Sequence, residues 1–413
     1  MTQAAPHNLP AYALFAALLA SAGLPIYIHA PKFFVDEYGV SLAALGSVLF
    51  GLRLLDVVQD PLLGRLSERL RDHRGVAVAI ASGLMAVSMY ALFAMAPPLP
   101  PLVWFAVTLT GVFSSFSFLM ICFYAQGVAK AASLPGAGHL SLARWRETGG
   151  LLGVCAASVA PVGLGAFMGA PFAGFAVGFA VLALASVVMM RNEWQQVDAP
   201  AAPGFAIVLR DPVARMLLLI ALLNAAPVAV SSTLFLFYVE SALQAPGWEG
   251  PLLLLFFLAA AAAAPLWGFW AERHGPKPVL LAAMVLAIVA FGGALFLGAG
   301  DVALFALVCI GSGAAVGADL TLLPAMFAAR MAAISPSAAE GFGLWSLVSK
   351  FTLAFAAVTL LPILQMSGFS SDATVHSQSA IRTLIWLYAG LPCILKLLAI
   401  GLLAGTELEK GKR

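Results

Sequence analysis

The chain has 413 residues, of which 62% are hydrophobic and 10% charged, with a formal net charge of +2 and a mean hydropathy of +0.99. A soluble domain carries roughly a quarter charged residues, and so small a net charge without any basic block excludes a nucleic-acid partner. Apolar stretches of about 20 residues recur along the whole length, the mark of repeated bilayer spans rather than one water-surrounded core.

In chain order, the apolar runs between charged, Pro-rich or Gly-rich breaks predict spans at 11–34, 41–63, 75–97, 101–129, 139–168, 171–190, 213–239, 250–271, 278–299, 301–329, 341–366 and 380–404. The first ten residues hold no Lys or Arg, so the first run is expected to stay as a span rather than leave as a signal peptide. The one long polar stretch falls between the sixth and seventh spans. The reading is an all-α membrane protein of twelve transmembrane helices in two six-helix bundles, over 1–190 and 212–413, joined by a linker at 191–211. Cys122, Cys155, Cys309 and Cys393 lie in apolar runs with no metal-ligand spacing and read as small hydrophobes. No cofactor and no resident metal are expected, and the chain is expected to act as a monomer.

Orientation follows from the basic residues. With the N-terminus inside, the loops and ends on that side hold Arg65, Arg69, Arg71, Arg74, Lys130, Arg144, Arg191, Arg210, Arg215, Arg273, Lys277, Arg330, Lys410, Lys412 and Arg413, and the opposite side only Lys32 and Arg382. This bias predicts an inner-membrane protein with both termini cytoplasmic.

The halves resemble each other. Pro61-Leu62-Leu63-Gly64-Arg65-Leu66-Ser67-Glu68-Arg69 and Pro265-Leu266-Trp267-Gly268-Phe269-Trp270-Ala271-Glu272-Arg273 share P-L-x-G-x-x-[SA]-E-R, with Gly268 displaced from Gly64 by 204 positions. Each copy is expected in the cytoplasmic loop after its span. There Gly64 and Gly268 would allow close helix approach, and Glu68, Arg69, Glu272 and Arg273 would make charge-assisted contacts to helix ends.

Ionisable groups at membrane depth cost about 2.5–3.5 kcal/mol each and are candidates for function. Arg53, Asp56 and Asp60 occupy one face of the second span, at spacings of three and four. Two carboxylates beside one Arg leave a net negative charge, which suits a proton or a monovalent cation such as Na+. At the 204-residue offset the two acids become Ala260 and Ala264 while Pro61 becomes Pro265, so the acids are one-sided, as a specific site would be.

Arg146 in the fifth span and Lys350 in the eleventh are related by the same offset. Opposed cations from two repeats are expected at a substrate site near the midplane. Asp319, Tyr27, Tyr124, Trp345 and Gln126 are further candidates for touching a solute, and His29 is a weaker one.

These residues resemble a known family. Arg53-Leu54-Leu55-Asp56-Val57-Val58-Gln59-Asp60-Pro61, with Gly343-Leu344-Trp345-Ser346 and Lys350, is similar to the glycoside–pentoside–hexuronide:cation symporters of the major facilitator superfamily, which include melibiose permease. The resemblance implies the major facilitator fold and alternating access, with coupling cation at Asp56 and Asp60, Lys350 beside it and Arg146 near substrate. The acids that recognise sugar in the first and fourth spans of melibiose permease fall near Ala20 and Met120 here. An anionic solute, such as a uronide or another organic acid, is therefore expected in place of a galactoside. Two other readings stay open: a proton-coupled exporter of amphipathic compounds, and a membrane scaffold that transports nothing. No HExxH, GxSxG or P-loop is present, so neither an enzyme nor an ATP-driven pump is expected.

Overall fold

The computed structural model describes residues 8–194, 205–334, 338–369 and 377–407. By contact the chain divides into two compact units, Met1–Val208 with Ala328–Leu347, and Leu209–Phe327 with Val348–Arg413. The first unit contains α1 (Leu9–Ser21), α2 (Leu24–Tyr38), α3 (Leu42–Arg69), α4 (Arg74–Ala94), α5 (Pro101–Ser133), α6 (Gly138–Gly165) and α7 (Pro171–Met190). A short α8 (Phe205–Arg210) leads to α9 (Pro212–Phe237), α10 (Glu249–His274), α11 (Pro276–Gly292), α12 (Val302–Ile334), α13 (Ala339–Met366), α14 (Gln378–Ile385) and α15 (Leu391–Gly405). The end of α12 and the first turns of α13 group with the first unit. Among the described residues, nine helices are long and apolar enough to cross a membrane.

The breaks follow local chemistry. Pro101, Pro171, Pro212 and Pro276 open their helices, where the missing N–H would have had no partner. Asp211 caps α9 by accepting from the Ala214 amide at 2.7 Å.

Several spans differ from the sequence reading. The first is two helices, because Ala22 and Gly23 interrupt it just before Pro25. The repeated P-L-x-G-x-x-[SA]-E-R segments are not loops, since Pro61–Arg69 closes α3 and Pro265–Arg273 lies in the last turns of α10. The seventh and twelfth spans each contain a π-helical turn, Tyr238–Ala242 and Trp386–Gly390. Tyr238 and Tyr388 stack there at 4.1 Å between ring centroids. The linker also begins as part of the first unit: Glu193 pairs with Lys130 at 2.7 Å, and the Trp194 ring meets Phe15 at 5.5 Å.

In lipid, helices gain no hydrophobic energy from touching each other, so close packing of small residues has to hold them. A Cβ at Gly149 would stand 2.2 Å from the Ala13 carbonyl oxygen, and one at Gly153 would stand 2.5 Å from that of Ala17. The backbones of α1 and α6 are thus in contact over two helical turns. In the second unit Gly313 and Gly317 do the same against Phe256 and Ala260. Gly149→Ala is expected to destabilise the protein by about 1–3 kcal/mol through this overlap. Gly163→Ala, on the same helix with open space around it, should be neutral or stabilising by about 0.5–1 kcal/mol. Thermal unfolding of the two purified variants in detergent checks the contrast.

Candidate functional site

The acids of the second span are buried on α3, with Asp56 at 3% exposure and Asp60 at 0%. The helical register that puts them on one face also brings Gln59 in beside them. Its amide nitrogen donates to Asp56 Oδ1 at 2.7 Å, and its oxygen accepts from Ser114 of α5 at 2.9 Å. Asp60 accepts from the Ser346 hydroxyl at 2.5 Å. Asp56 is thus bonded by an amide nitrogen and Asp60 by a hydroxyl, and carboxylates of this kind suit a proton or a hard monovalent cation.

Arg146 of α6 is 5% exposed. Its Nε donates to Glu147 Oε1 at 2.7 Å, and its guanidinium lies 3.7 Å from the centre of the Tyr124 ring. Tyr124 donates its hydroxyl to the same Glu147 oxygen at 3.1 Å. The acid that neutralises Arg146 is the residue next to it in the chain. Its Nη2 is buried without a hydrogen-bond partner among the described residues. A guanidinium N–H left over at such a place is suited to an oxygen acceptor on a solute.

One face of α13 meets both groups. Phe342 lies against Tyr124 at 5.0 Å between centroids, and Ser346, four residues on and so on the same face, holds Asp60. Between them the chain is pressed against α3. A Cβ at Gly64 would lie 3.4 Å from the Gly343 Cα, and one at Gly343 3.3 Å from the Asp60 carbonyl oxygen.

The remaining candidates are scattered. Gln126 accepts from Arg74 at 3.4 Å and donates to the Glu193 carbonyl at 2.7 Å. Asp319 is paired in the second unit with Lys396 at 2.5 Å. Lys350 and Trp345 are half-buried on α13. His29 Nε2 meets the Ser158 carbonyl at 3.0 Å. Among the segment-end charges, Glu68 pairs with Arg71 at 3.6 Å, Arg273 lies 4.0 Å over the Phe269 ring, Arg69 and Glu272 are exposed, and Gly268 is buried. The side chains of Arg53 and Tyr27 lie outside the described residues. Sequence reasoning passed over Gln59, Ser114, Phe342 and Lys396, and noted Ser346 only as part of the family motif. Only Lys396 carried a signal of the usual kind, a charge inside an apolar run.

A sequence profile for the family described as MFS/sugar transport protein matches residues 10–410. The chain belongs to that family. It is a multi-pass membrane transporter, not an enzyme. In sequence, no curated protein matches it. Among solved structures it is similar to a bacterial homologue of the iron transporter ferroportin in the outward-facing state, at a TM-score of 0.68 and 16% identity, covering 96% of this chain and 98% of that one. It is also similar to the human organic anion transporter MFSD10 (TETRAN), at a TM-score of 0.66 and 16% identity, with the same coverage of both chains. At that identity the likeness shows the fold, which is the twelve-helix major facilitator fold of such transporters.

The Arg146–Glu147 pair predicts an asymmetric response. Arg146→Ala leaves Glu147 unpaired in a buried place and is expected to cost the transporter about 3–5 kcal/mol, whereas the double variant Arg146→Met/Glu147→Gln, with no charge to strand, should cost far less. Melting temperatures of the two purified variants, compared with the wild-type transporter, measure the difference.

Proposed function

We propose that this transporter is a symporter that couples uptake of a small anionic solute to a proton or Na+. The observation that carries the reading is the shared face of α13, where Phe342 packs on Tyr124 beside Arg146 while Ser346 holds Asp60. A cation arriving at Asp60 changes the bond that anchors α13. A solute accepting from Arg146 Nη2 touches a cluster that leans on the same helix. Each ligand thus has differential contact with one movable element, which is what coupling requires. The two buried carboxylates, Asp56 and Asp60, support a proton or hard cation as the driving ion.

The solute is read from Arg146, Tyr124 and the absence of the sugar-recognition acids. A guanidinium with a spare N–H beside an aromatic face favours a flat or ring-bearing molecule with a carboxylate. The family description names sugars, and a sugar acid satisfies both features. The basic bias of one set of helix ends supports an inner-membrane location with both termini cytoplasmic.

A tenfold cation gradient is worth about 1.4 kcal/mol, so one cation per solute permits roughly tenfold accumulation. In proteoliposomes, Asp56→Asn and Asp60→Asn should bring accumulation down to about the external concentration while the folded yield is kept. Tenfold accumulation surviving in both variants would remove the coupling site. Uptake of neutral sugars only, with glucuronate and simple organic acids untouched, would sink the anionic reading.

A further inference from the structure

The outer face of α3 ends in two arginines that the proposed transport site does not use. Leu54, Val58, Leu62 and Leu66 follow one another at steps of four, and all are exposed, Val58 to 65% and Leu62 to 57%. Asp56, Asp60, Gly64 and Ser67 are buried on the opposite side of the helix. Protein covers that side, so the apolar side is left to the acyl chains of the bilayer. From Leu54 to Leu66 the helix rises about 18 Å, enough for one leaflet of a hydrocarbon core about 30 Å thick. Val58, Leu62, Arg65 and Arg69 follow at steps of four, three and four, which keeps them on one face, and both arginines are exposed.

The Arg65 guanidinium lies 4.8 Å from the centre of the Phe205 ring, which belongs to the start of α8 and to the same unit. A guanidinium stacked on a ring keeps the N–H groups of its edge for an oxygen acceptor. The neighbouring acids Glu68 and Asp72 reach Arg71 instead, at 3.6 and 3.7 Å. Among the described residues Arg65 and Arg69 make no ion pair and no side-chain hydrogen bond. Like charges one helical turn apart repel, so the pair is suited to an anion with several oxygens, placed where the apolar face ends. The second unit offers a comparison. At the 204-residue offset Leu62, Leu66 and Arg69 become Leu266, Trp270 and Arg273, while Arg65 becomes Phe269. Leu266, Phe269 and Trp270 are exposed too, and Arg273 stacks on Phe269. The apolar face is repeated there with one guanidinium in place of two.

We propose that the end of α3 binds an anionic phospholipid, its phosphate between Arg65 and Arg69 and its acyl chains along Leu54, Val58, Leu62 and Leu66. A soluble phosphate ester would engage the arginines and leave the apolar face uncovered. A zwitterionic phospholipid would cover that face, but its own ammonium repels the two guanidinium groups. A lipid with net negative charge satisfies both halves of the surface. Each basic group at an anionic membrane surface is worth about fivefold in affinity, so the paired arginines of the first unit hold the lipid more tightly than the single Arg273 of the second.

The test is thermal unfolding of the full-length protein in dodecyl maltoside micelles titrated with dioleoylphosphatidylglycerol, because a ligand of the native state raises Tm. Tm should rise saturably with that lipid, and not with dioleoylphosphatidylcholine or with glycerol phosphate, the headgroup without its chains. Arg65→Gln/Arg69→Gln should raise the half-saturating lipid concentration about tenfold or more, whereas Arg273→Gln should leave the titration as it is. Should the double variant fail to fold, native mass spectrometry of the wild type in an equal mixture of the two lipids decides, with phosphatidylglycerol expected in excess on the released protein. No rise with phosphatidylglycerol, an equal rise with phosphatidylcholine, or one reproduced by glycerol phosphate would each overturn the proposal. So would an unchanged titration in the double variant, an equal loss in Arg273→Gln, or equal retention of the two lipids. Transport coupled at Asp56 and Asp60 is measured by accumulation and stands or falls separately.

Discussion

A charge inside hydrocarbon must find its partner within the protein, and the polar architecture of this transporter follows from that requirement. Hydration is absent at membrane depth, so each ionisable group is either neutralised or kept for a ligand. Three arrangements result. Asp56 and Asp60 are buried and hydrogen-bonded by Gln59 and Ser346 respectively. Arg146 and Glu147 cancel each other at adjacent positions of one helix, with Tyr124 covering the guanidinium. Asp319 and Lys396 cancel each other across two helices, with Asn224 as the third member.

Backbone contact is the complement of these pairs. Where the helices carry glycine, at Gly149 and Gly153 or Gly313 and Gly317, main chains touch directly and no side chain has space to move. Gly64 and Gly343 bring α3 and α13 together with slightly more room, and it is there that the acid of one helix and the hydroxyl of the other meet. Tight glycine crossings fix the framework of a bundle. The proposed coupling uses the looser crossing, where a cation at Asp60 would change the bond to Ser346.

The candidate site was legible in the sequence to the extent that it was made of charges. Asp56, Asp60, Arg146 and Asp319 stand out because an ionisable residue interrupts a long apolar run. Their neutral neighbours do not stand out. Gln59 and Ser114 look like many other polar residues in the chain, and nothing short of the packing of α3 against α5 separates them from the rest. The family resemblance pointed to the right superfamily and span of the chain. It could not show that Gln126 belongs with Arg74 and the start of the linker.

The sequence by itself determined the class of solvent, the number and order of the spans and the duplication of the halves. Each of these depends on composition, length and periodicity, which are local properties of a chain in a bilayer. Tertiary structure alone decided the partners. Arg146 was expected to face a solute and is paired with Glu147. Asp319 was expected to face a solute and has Lys396, 77 positions away along the chain. The reason is that a salt bridge or hydrogen bond between helices depends on rotation and depth to within about an ångström, and hydropathy carries no information at that scale.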